Sequence, residues 1–436
     1  MKFLPYYRSI CGNCVKRTTG RGIGLIIKSM PTLSTIPTKA RSCLCKLVKS
    51  SRNIFSRAGF QAIFGSLSVF ASLEQPAAAF AQTTGAIQLT ADPLPPISIK
   101  HLQTLTDANG IHEFAHGTIP WHENGYCAED AARALVAVTD YELVTGNADA
   151  CQLAKIYLRY LQDSLRDDGQ LWNRQNRMLA SGDSYGRVLW GLGYAAARHP
   201  DKEIADPAAK LFNQILPGCN EKLGGYPIAN AYALEGLTAF VGRFPDGVPQ
   251  AALEKCAKQN LDGYRQHRRA GWTWFDATMT YDTGRFPLAM LLAFEATGNT
   301  ECRQVGLESL DFLLKVCFSP DGKQLRPIGN HGWYPEGGTP AQFDQQPIDA
   351  ASIVEACVVA ARITGEKKYV VKARRAFEWF LGNNLKGAAV YDPVSGGCRD
   401  GLTVSGANVN EGGESTIMYV IARCKMEVSL NDKHFK

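Results

Sequence analysis

Residues 129–141 read EDAARALVAVTDY, and the same plan returns five times. It recurs as YGRVLWGLGYAAA at 185–197, NAYALEGLTAF at 230–240, YDTGRFPLAMLLAFEATG at 281–298, PIDAASIVEACVVAARITG at 347–365 and GESTIMYVIARC at 413–424. Each segment opens on polar or charged residues and continues small and apolar on most faces, the pattern of a buried helix. Successive starts lie 56, 45, 51, 66 and 66 residues apart, room each time for a second helix and two loops. Those second helices show as more charged amphipathic stretches at 148–165, 204–216, 249–264, 300–317 and 367–381. Six buried helices alternating with more polar ones predict an all-α chain, an (α/α)6 toroid with an inner ring and an outer layer. A helical solenoid also alternates, but its repeats are shorter and more regular. In a toroid the N-terminal ends of the inner helices, and the loops before them, gather around one funnel, so residues distant in sequence become neighbours.

Outside these segments the composition is that of a globular protein. The chain has 436 residues, 47 Lys+Arg against 41 Asp+Glu, 41 Gly and 13 Cys, which excludes a collagen, a low-complexity tail and a small disulfide knot. The net charge of +6 is concentrated at one end. No acid occurs before Glu74, whereas twelve Lys and Arg do, leaving 35 basic against 41 acidic residues in the remainder. No basic stripe runs through the body, so no nucleic-acid partner is expected. Residues 1–81 read as a cleavable targeting segment: a basic, Ser/Thr-containing stretch, an apolar run AGFQAIFGSLSVFASL at 58–73, and a small-x-small cleavage pattern at Ala79-Phe80-Ala81. The apolar run is shorter and more polar than a membrane span requires. Export or organelle import is expected, followed by a linker over 82–95, one toroid domain over 96–425 and a tail over 426–436. The cysteines beyond the leader are odd in number and irregularly spaced, which fits free thiols better than a disulfide framework.

The stretches GYCAEDAARAL (125–135), WTWFDATMTYDTGRFPLAML (272–291), FDQQPIDAASIVEAC (343–357) and YDPVSGGCRDGLTVSGANVNEGGESTIMYV (391–420) resemble a bacterial helical-toroid family often found beside glycosyltransferases or carrying that label. More broadly they resemble (α/α)6 carbohydrate-active enzymes, over about residues 105–425. The resemblance implies a carbohydrate substrate. The transferase label finds no support in the residues: Gly20-Arg-Gly-Ile-Gly24 lies in the leader, and no phosphate-cradling Gly loop joins a strand to a helix.

The chemistry-bearing pattern is a set of carboxylates at inner-helix starts: Glu129, Asp130, Asp183, Asp282, Asp349 and Glu414, with Asp276 just ahead of the fourth helix. Inverting glycoside hydrolysis needs a protonated acid and an ionised base about 6.5–9.5 Å apart, and a funnel rimmed with acids can supply them. Each acid taken singly is also explained by helix capping. Asp282 is expected as the general acid, desolvated by Trp272, Trp274, Phe275 and Tyr281. Asp130 or Glu414 is expected as the base, with Asp349 the rival for either role. Aromatics in Gly/Pro-rich loops, such as GNHGWYPEGGTP at 329–340, are expected to stack on sugar faces: Trp272, Trp274, Tyr281, His331 and Trp333. Tyr126, Tyr185, Tyr232, Asp276, Gln345, Gln346 and Asn410 complete the expected sugar contacts. Arg133, Arg187, Arg285 and Arg399 fall near the same rim, either to bind an acidic sugar or to pair with neighbouring acids. His112-Glu-Phe-Ala-His116 spells a zincin pattern, but Gly110 and Gly117–Pro120 leave scarcely one helical turn, so no metal or other cofactor is expected.

The resulting expectation is an exported carbohydrate-active enzyme, an inverting glycoside hydrolase acting on an oligosaccharide or glycoconjugate. The alternatives are a sugar epimerase or polysaccharide lyase, relying on Tyr185, Tyr281 or His331, and a glycan-binding module without turnover.

Overall fold

The computed structural model describes residues 93–431 apart from 175–177, 224–226 and 246. The targeting segment, residues 82–92 of the linker and residues 432–436 of the tail lie outside the described residues. The described chain carries twelve α-helices: α1 (Lys100–Leu105), α2 (Ala128–Thr145), α3 (Cys151–Ser164), α4 (Gly182–Arg198), α5 (Lys202–Leu223), α6 (Pro227–Arg243), α7 (Val248–His267), α8 (Arg285–Thr297), α9 (Thr300–Cys317), α10 (Pro347–Thr364), α11 (Lys367–Phe377) and α12 (Gly413–Asn431).

The even-numbered helices form the inner ring. Each packs on the one before and the one after, and α12 closes the circle by packing on both α10 and α2. The odd-numbered helices α3, α5, α7, α9 and α11 lie outside, each against the inner helix that precedes it in sequence. Short α1 packs on α12 in the sixth outer position, too brief to be read from periodicity. The chain is therefore an (α/α)6 toroid. The inner helices are buried on almost every face: α10 is buried from Pro347 through Ala361. Outer helices such as α3 bury one stripe, here Leu153, Ala154, Tyr157, Leu158 and Leu161. Eight described cysteines are free thiols, all but Cys151 buried. Among the described residues no helix is long and apolar enough to cross a membrane.

The fourth inner helix starts later than its sequence pattern. Asp282 sits in the left-handed region with φ 51°, and Arg285 N–H donates to Asp282 O at 3.1 Å, so residues 281–284 form a turn and α8 begins at Arg285. The last inner helix runs on to Asn431, through residues the pattern placed in a tail.

Small residues let the ring close tightly. A Cβ on Gly193 would overlap the backbone of Gly236, and one on Gly236 would overlap the backbone of Leu189. The axes of α4 and α6 therefore approach closer than any side chain permits. Gly236→Ala is expected to destabilise by about 1–3 kcal/mol, the cost of overpacking. Gly242, on the same helix, has open space around its Cβ position, and its Ala variant is expected to hold or gain up to about 1 kcal/mol. Equal denaturant midpoints for the two variants would remove the close-approach argument.

Loops between helices are tied by short two-stranded ribbons. Thr278–Met279, ahead of α8, pairs with Tyr334–Pro335, ahead of α10, so the two aromatic-rich loops identified in the sequence do meet.

Candidate functional site

The N-terminal ends of α2, α4 and α12 meet at one mouth of the ring. Glu129 and Asp130 lie in the first turn of α2, Asp183 in that of α4 and Glu414 in that of α12, where carboxylates are favoured by the helix dipole. α4 is fixed by a capping box between Ser181 and Ser184. Arg133 and Arg187 follow Glu129 and Asp183 by one helical turn, so each guanidinium folds back over its own helix start.

The two arginines knit the three helices together. Arg133 Nη1 donates to Asp130 Oδ1 at 2.5 Å, and its Nη2 lies 2.8 Å from Glu414 Oε2. Arg187 Nη1 reaches Asp183 Oδ2 at 2.5 Å and Glu129 Oε2 at 3.0 Å. Tyr281 arrives from the loop before α8. Its hydroxyl donates to Glu414 Oε2 at 2.7 Å and accepts from Arg133 Nη2 at 3.3 Å and Arg187 Nη2 at 3.2 Å. Both arginine side chains are almost fully buried, whereas those of Glu129, Asp183 and Glu414 are 22%, 27% and 31% exposed. Two cations thus form a floor and three carboxylates form the lip above it.

The environment sets these acids apart. Burial raises the Asp183 pKa against the opposing pull of Arg187, and Asp183 Oδ1 has no hydrogen-bond partner. Glu129 is also pushed up by burial, but Arg187 and Arg133 outweigh this and leave it below its ordinary value. Its Oε1 accepts from Ser184 Oγ at 2.6 Å and Asn173 Nδ2 at 3.1 Å, so both oxygens are engaged. Asp130 is pushed up to about 6, chiefly by burial. Burial, reinforced by Glu414, holds the Tyr281 phenol well above its usual range, so it stays a proton donor. Beside α2, Glu113 is raised to about 8 by burial and by Asp130, with Arg174 Nη2 at 2.6 Å offsetting part of the shift.

A second charged layer lies deeper. The Tyr232 ring is sandwiched between Arg187, 4.6 Å from its centroid, and Arg285, 5.0 Å from it. Arg285 donates from Nε to Asp282 at 3.2 Å, from Nη1 to Glu235 at 3.0 Å and from Nη2 to Glu355 at 3.0 Å, and the Tyr232 hydroxyl donates to Asp282. Beyond this layer, at the other end of the ring, a cavity of about 670 Å³ is lined by Asp140, Tyr194, Glu235, Glu355 and Lys425. Its ionic groups are closed on one another, with Lys425 Nζ 2.7 Å from Asp140. The half-exposed acids stand at the mouth instead.

Several expected site residues are placed differently from the sequence reading. Asp282 is fully buried in the deeper layer, with Tyr232 and Arg285 as its neighbours in place of the expected aromatic box. The φ > 0 turn removed it from the helix start and turned it inward. Asp349 is equally buried and accepts from Thr283 N at 3.1 Å and Thr283 Oγ1 at 3.3 Å. Asp130 is buried under Arg133. Trp272 and Trp274 are core residues: their loop folds back over α7 and α8, where Trp274 packs on Phe286 and neighbouring Phe275 on Tyr264. Tyr126 is buried and donates to Asp107, while Tyr185 is buried under Lys222 at 2.6 Å. Gln345 is buried, pairs with Leu402 through its backbone and accepts the Trp379 N–H at 2.8 Å. Asn410 accepts Gly117 N–H at 3.0 Å and holds a loop.

His331 and Asp276 are exposed; Trp333 and Gln346 are half-buried. Tyr281, Arg133, Arg187 and Glu414 do converge. All four expected rim arginines pair with acids, Arg399 with Asp392 at 3.6 Å. Passed over as catalytic candidates were Glu129 and Asp183, although each precedes an arginine by four residues at an inner-helix start.

The ring has the six-hairpin, glycosidase-like (α/α)6 toroid fold. No family model and no curated protein matches the chain. Among solved structures it is similar to a D-mannose isomerase, with a TM-score of 0.60 and 12% identity over 76% of this chain and 95% of that one. It is also similar to a sugar epimerase from a ruminal bacterium, with a TM-score of 0.58 and 13% identity over 75% and 94%. An α-mannanase of Bacteroides thetaiotaomicron matches with a TM-score of 0.51 and 9% identity over 76% and 94%.

Proposed function

We propose that the chain is a carbohydrate-active enzyme, a glycoside hydrolase that uses Asp183 as general acid and Glu414 as general base. The observation that carries this reading is the lip of half-exposed carboxylates over the Arg133–Arg187–Tyr281 floor. Asp183 has the raised pKa of a proton donor, and its Oδ1, shielded from solvent, has no hydrogen-bond partner. Glu414 is held by Arg133 and Tyr281, the environment of an ionised base. Glu129 and Asp183 share one arginine nitrogen, which keeps their bound oxygens closer than the inverting gap. Asp183 and Glu414 share no arginine nitrogen and are linked through Arg187 and Tyr281; inversion requires their carboxyls about 6.5–9.5 Å apart with a water between them. With four mouth carboxylates against two guanidiniums, a neutral sugar fits better than an anionic one. The basic leader, free of acids before Glu74, supports delivery out of the cytoplasm or into an organelle.

Solved isomerase and epimerase structures of the same fold favour a second reading, sugar epimerisation or isomerisation. That chemistry needs a base at a C–H bond. Among the described residues no histidine bonds to this cluster, and burial holds Tyr281 protonated, so the base for that chemistry would have to be a mouth carboxylate. Incubating the full chain with a panel of neutral glycans in oxygen-18 water separates the readings. Hydrolysis places one label at the anomeric carbon of a new reducing end. An isomeric product of unchanged chain length would transfer the assignment to epimerisation, and an unsaturated product to a lyase.

A further inference from the structure

Of the motif at 112–116 only the first histidine lies in a cluster. The segment is not helical: Ala115–His116 forms a ribbon with Ile119–Pro120, and the His116 ring packs against Trp121 with centroids 4.4 Å apart. His112, by contrast, is 2% exposed and neither of its ring nitrogens has a hydrogen-bond partner. A buried imidazole with two unsatisfied nitrogens is costly unless something else meets them.

Two other donors converge on it. His112 Nε2 lies 3.3 Å from Asp107 Oδ2, and the His122 ring stands edge-on at a centroid distance of 4.4 Å. One donor atom from each of Asp107, His112 and His122 lies within 4.8 Å of the others. Ligands about 2.0–2.1 Å from a tetrahedral zinc sit about 3.3 Å from each other, the separation already present between Asp107 and His112. His122 belongs to the turn His122–Asn124 and is exposed, so its ring is not locked in place by packing on every side. Asp107 is oriented from behind: Tyr126 O–H donates to Oδ2 at 2.6 Å, and the N–H groups of Asn109 and Gly110 donate to Oδ1 at 2.7 and 3.3 Å. Hydrogen bonds from Tyr126, Asn109 and Gly110 hold this carboxylate in one orientation, which favours its use as a metal ligand.

The geometry points to a zinc-type divalent metal site formed by Asp107, His112 and His122, with a fourth position open to water. Nitrogen-rich ligation of this kind suits Zn²⁺ or Co²⁺ over Mg²⁺ or Ca²⁺. The site lies in the loop between α1 and α2, so a bound ion would pin the segment that leads into the Glu129-bearing helix.

The test titrates the untagged full chain, stripped with chelator, with Co²⁺ by visible absorption and with Zn²⁺ by calorimetry. One ion per chain is expected, with the absorption of a four-coordinate site, no thiolate charge-transfer band, and a higher unfolding midpoint in Zn²⁺. His122→Ala, on an exposed turn, is expected to fold normally and to weaken binding about ten- to hundredfold or more. His116→Ala is expected to bind as the wild type does. Absence of one-to-one uptake by the wild type, a thiolate band, unchanged affinity in His122→Ala, or an equal loss in His116→Ala would each overturn the assignment.

Discussion

Asp183→Asn is expected to lower turnover of the cleaved glycan by about 10²–10⁴-fold, the range that positioned proton transfer contributes, while the folded chain still binds the intact glycan. Glu414→Gln is expected to lose a comparable factor. The two variants should separate on a substrate whose leaving group needs no protonation, such as an aryl glycoside with an acidic phenol. There Asp183→Asn recovers much of its rate and Glu414→Gln does not, because water must still be activated. Asp183 is more than a quarter exposed and sits inside a capped first turn, so its replacement should cost little stability. Asp282→Asn behaves differently, since that group is buried under Arg285 and Tyr232: its main effect falls on the unfolding midpoint. Undiminished hydrolysis by Asp183→Asn and Glu414→Gln alike would sink the assignment of roles. Rescue of Glu414→Gln by the activated substrate, with none for Asp183→Asn, would reverse it.

The ring was legible in the sequence because depth across the layers is written in composition. An inner helix such as α10 is buried on every face from Pro347 through Ala361, so that stretch is small and apolar apart from Asp349, Ser352 and Glu355, whereas α3 keeps one polar side. Depth along the ring axis is not written that way. Glu129 and Asp130 are adjacent in sequence, yet one reaches the lip and the other is sealed beneath Arg133. Asp282 looked like a helix-start acid until the backbone took φ 51°, which no periodicity predicts for a non-glycine residue. The tryptophans of the 272–275 loop were expected at the mouth because they flank Asp276 and Asp282 in sequence. Burial won because the loop packs on α7 and α8, Trp274 against Phe286 and Phe275 against Tyr264, and an indole gains more from that burial than from facing water. One signal for the mouth was present: acid and arginine four apart at Glu129–Arg133 and again at Asp183–Arg187, a spacing that places a cation over the acid on one helix face.

The largest loss of stability is expected from Arg285→Met. Arg285 is fully buried and is the cation that bonds Asp282, Glu235 and Glu355, each buried to a similar depth. One guanidinium cannot balance three ionised carboxylates in a low-dielectric interior, so this layer must hold protons at neutral pH. Burial accordingly pushes Glu235 up to about 8, against the opposing pull of Arg285, and raises Glu355 as well. Removing the cation leaves acids that are both desolvated and uncompensated, a loss of about 3–5 kcal/mol for a broken buried pair. Glu235→Gln replaces a carboxyl that is already largely protonated by an amide of similar shape and should cost about 1 kcal/mol or less.

The same proton gives a pH signature with a definite sign. Because the folded-state pKa of Glu235 lies above its ordinary value of 4.5, the folded chain binds that proton more tightly than the unfolded chain. Its contribution is fully present below about pH 4.5 and is lost as the pH rises toward about 8. Glu113, raised in the same direction, adds to the slope. Wild-type unfolding midpoints should therefore fall across that window, and Glu235→Gln should fall less steeply. Arg285→Met, deprived of the cation that bonds all three carboxylates and favours their ionised form, should fall more steeply still. A midpoint for Arg285→Met as high as that of Glu235→Gln, with parallel pH profiles, would show that the deeper layer is held by packing around Tyr232 and not by its charge balance.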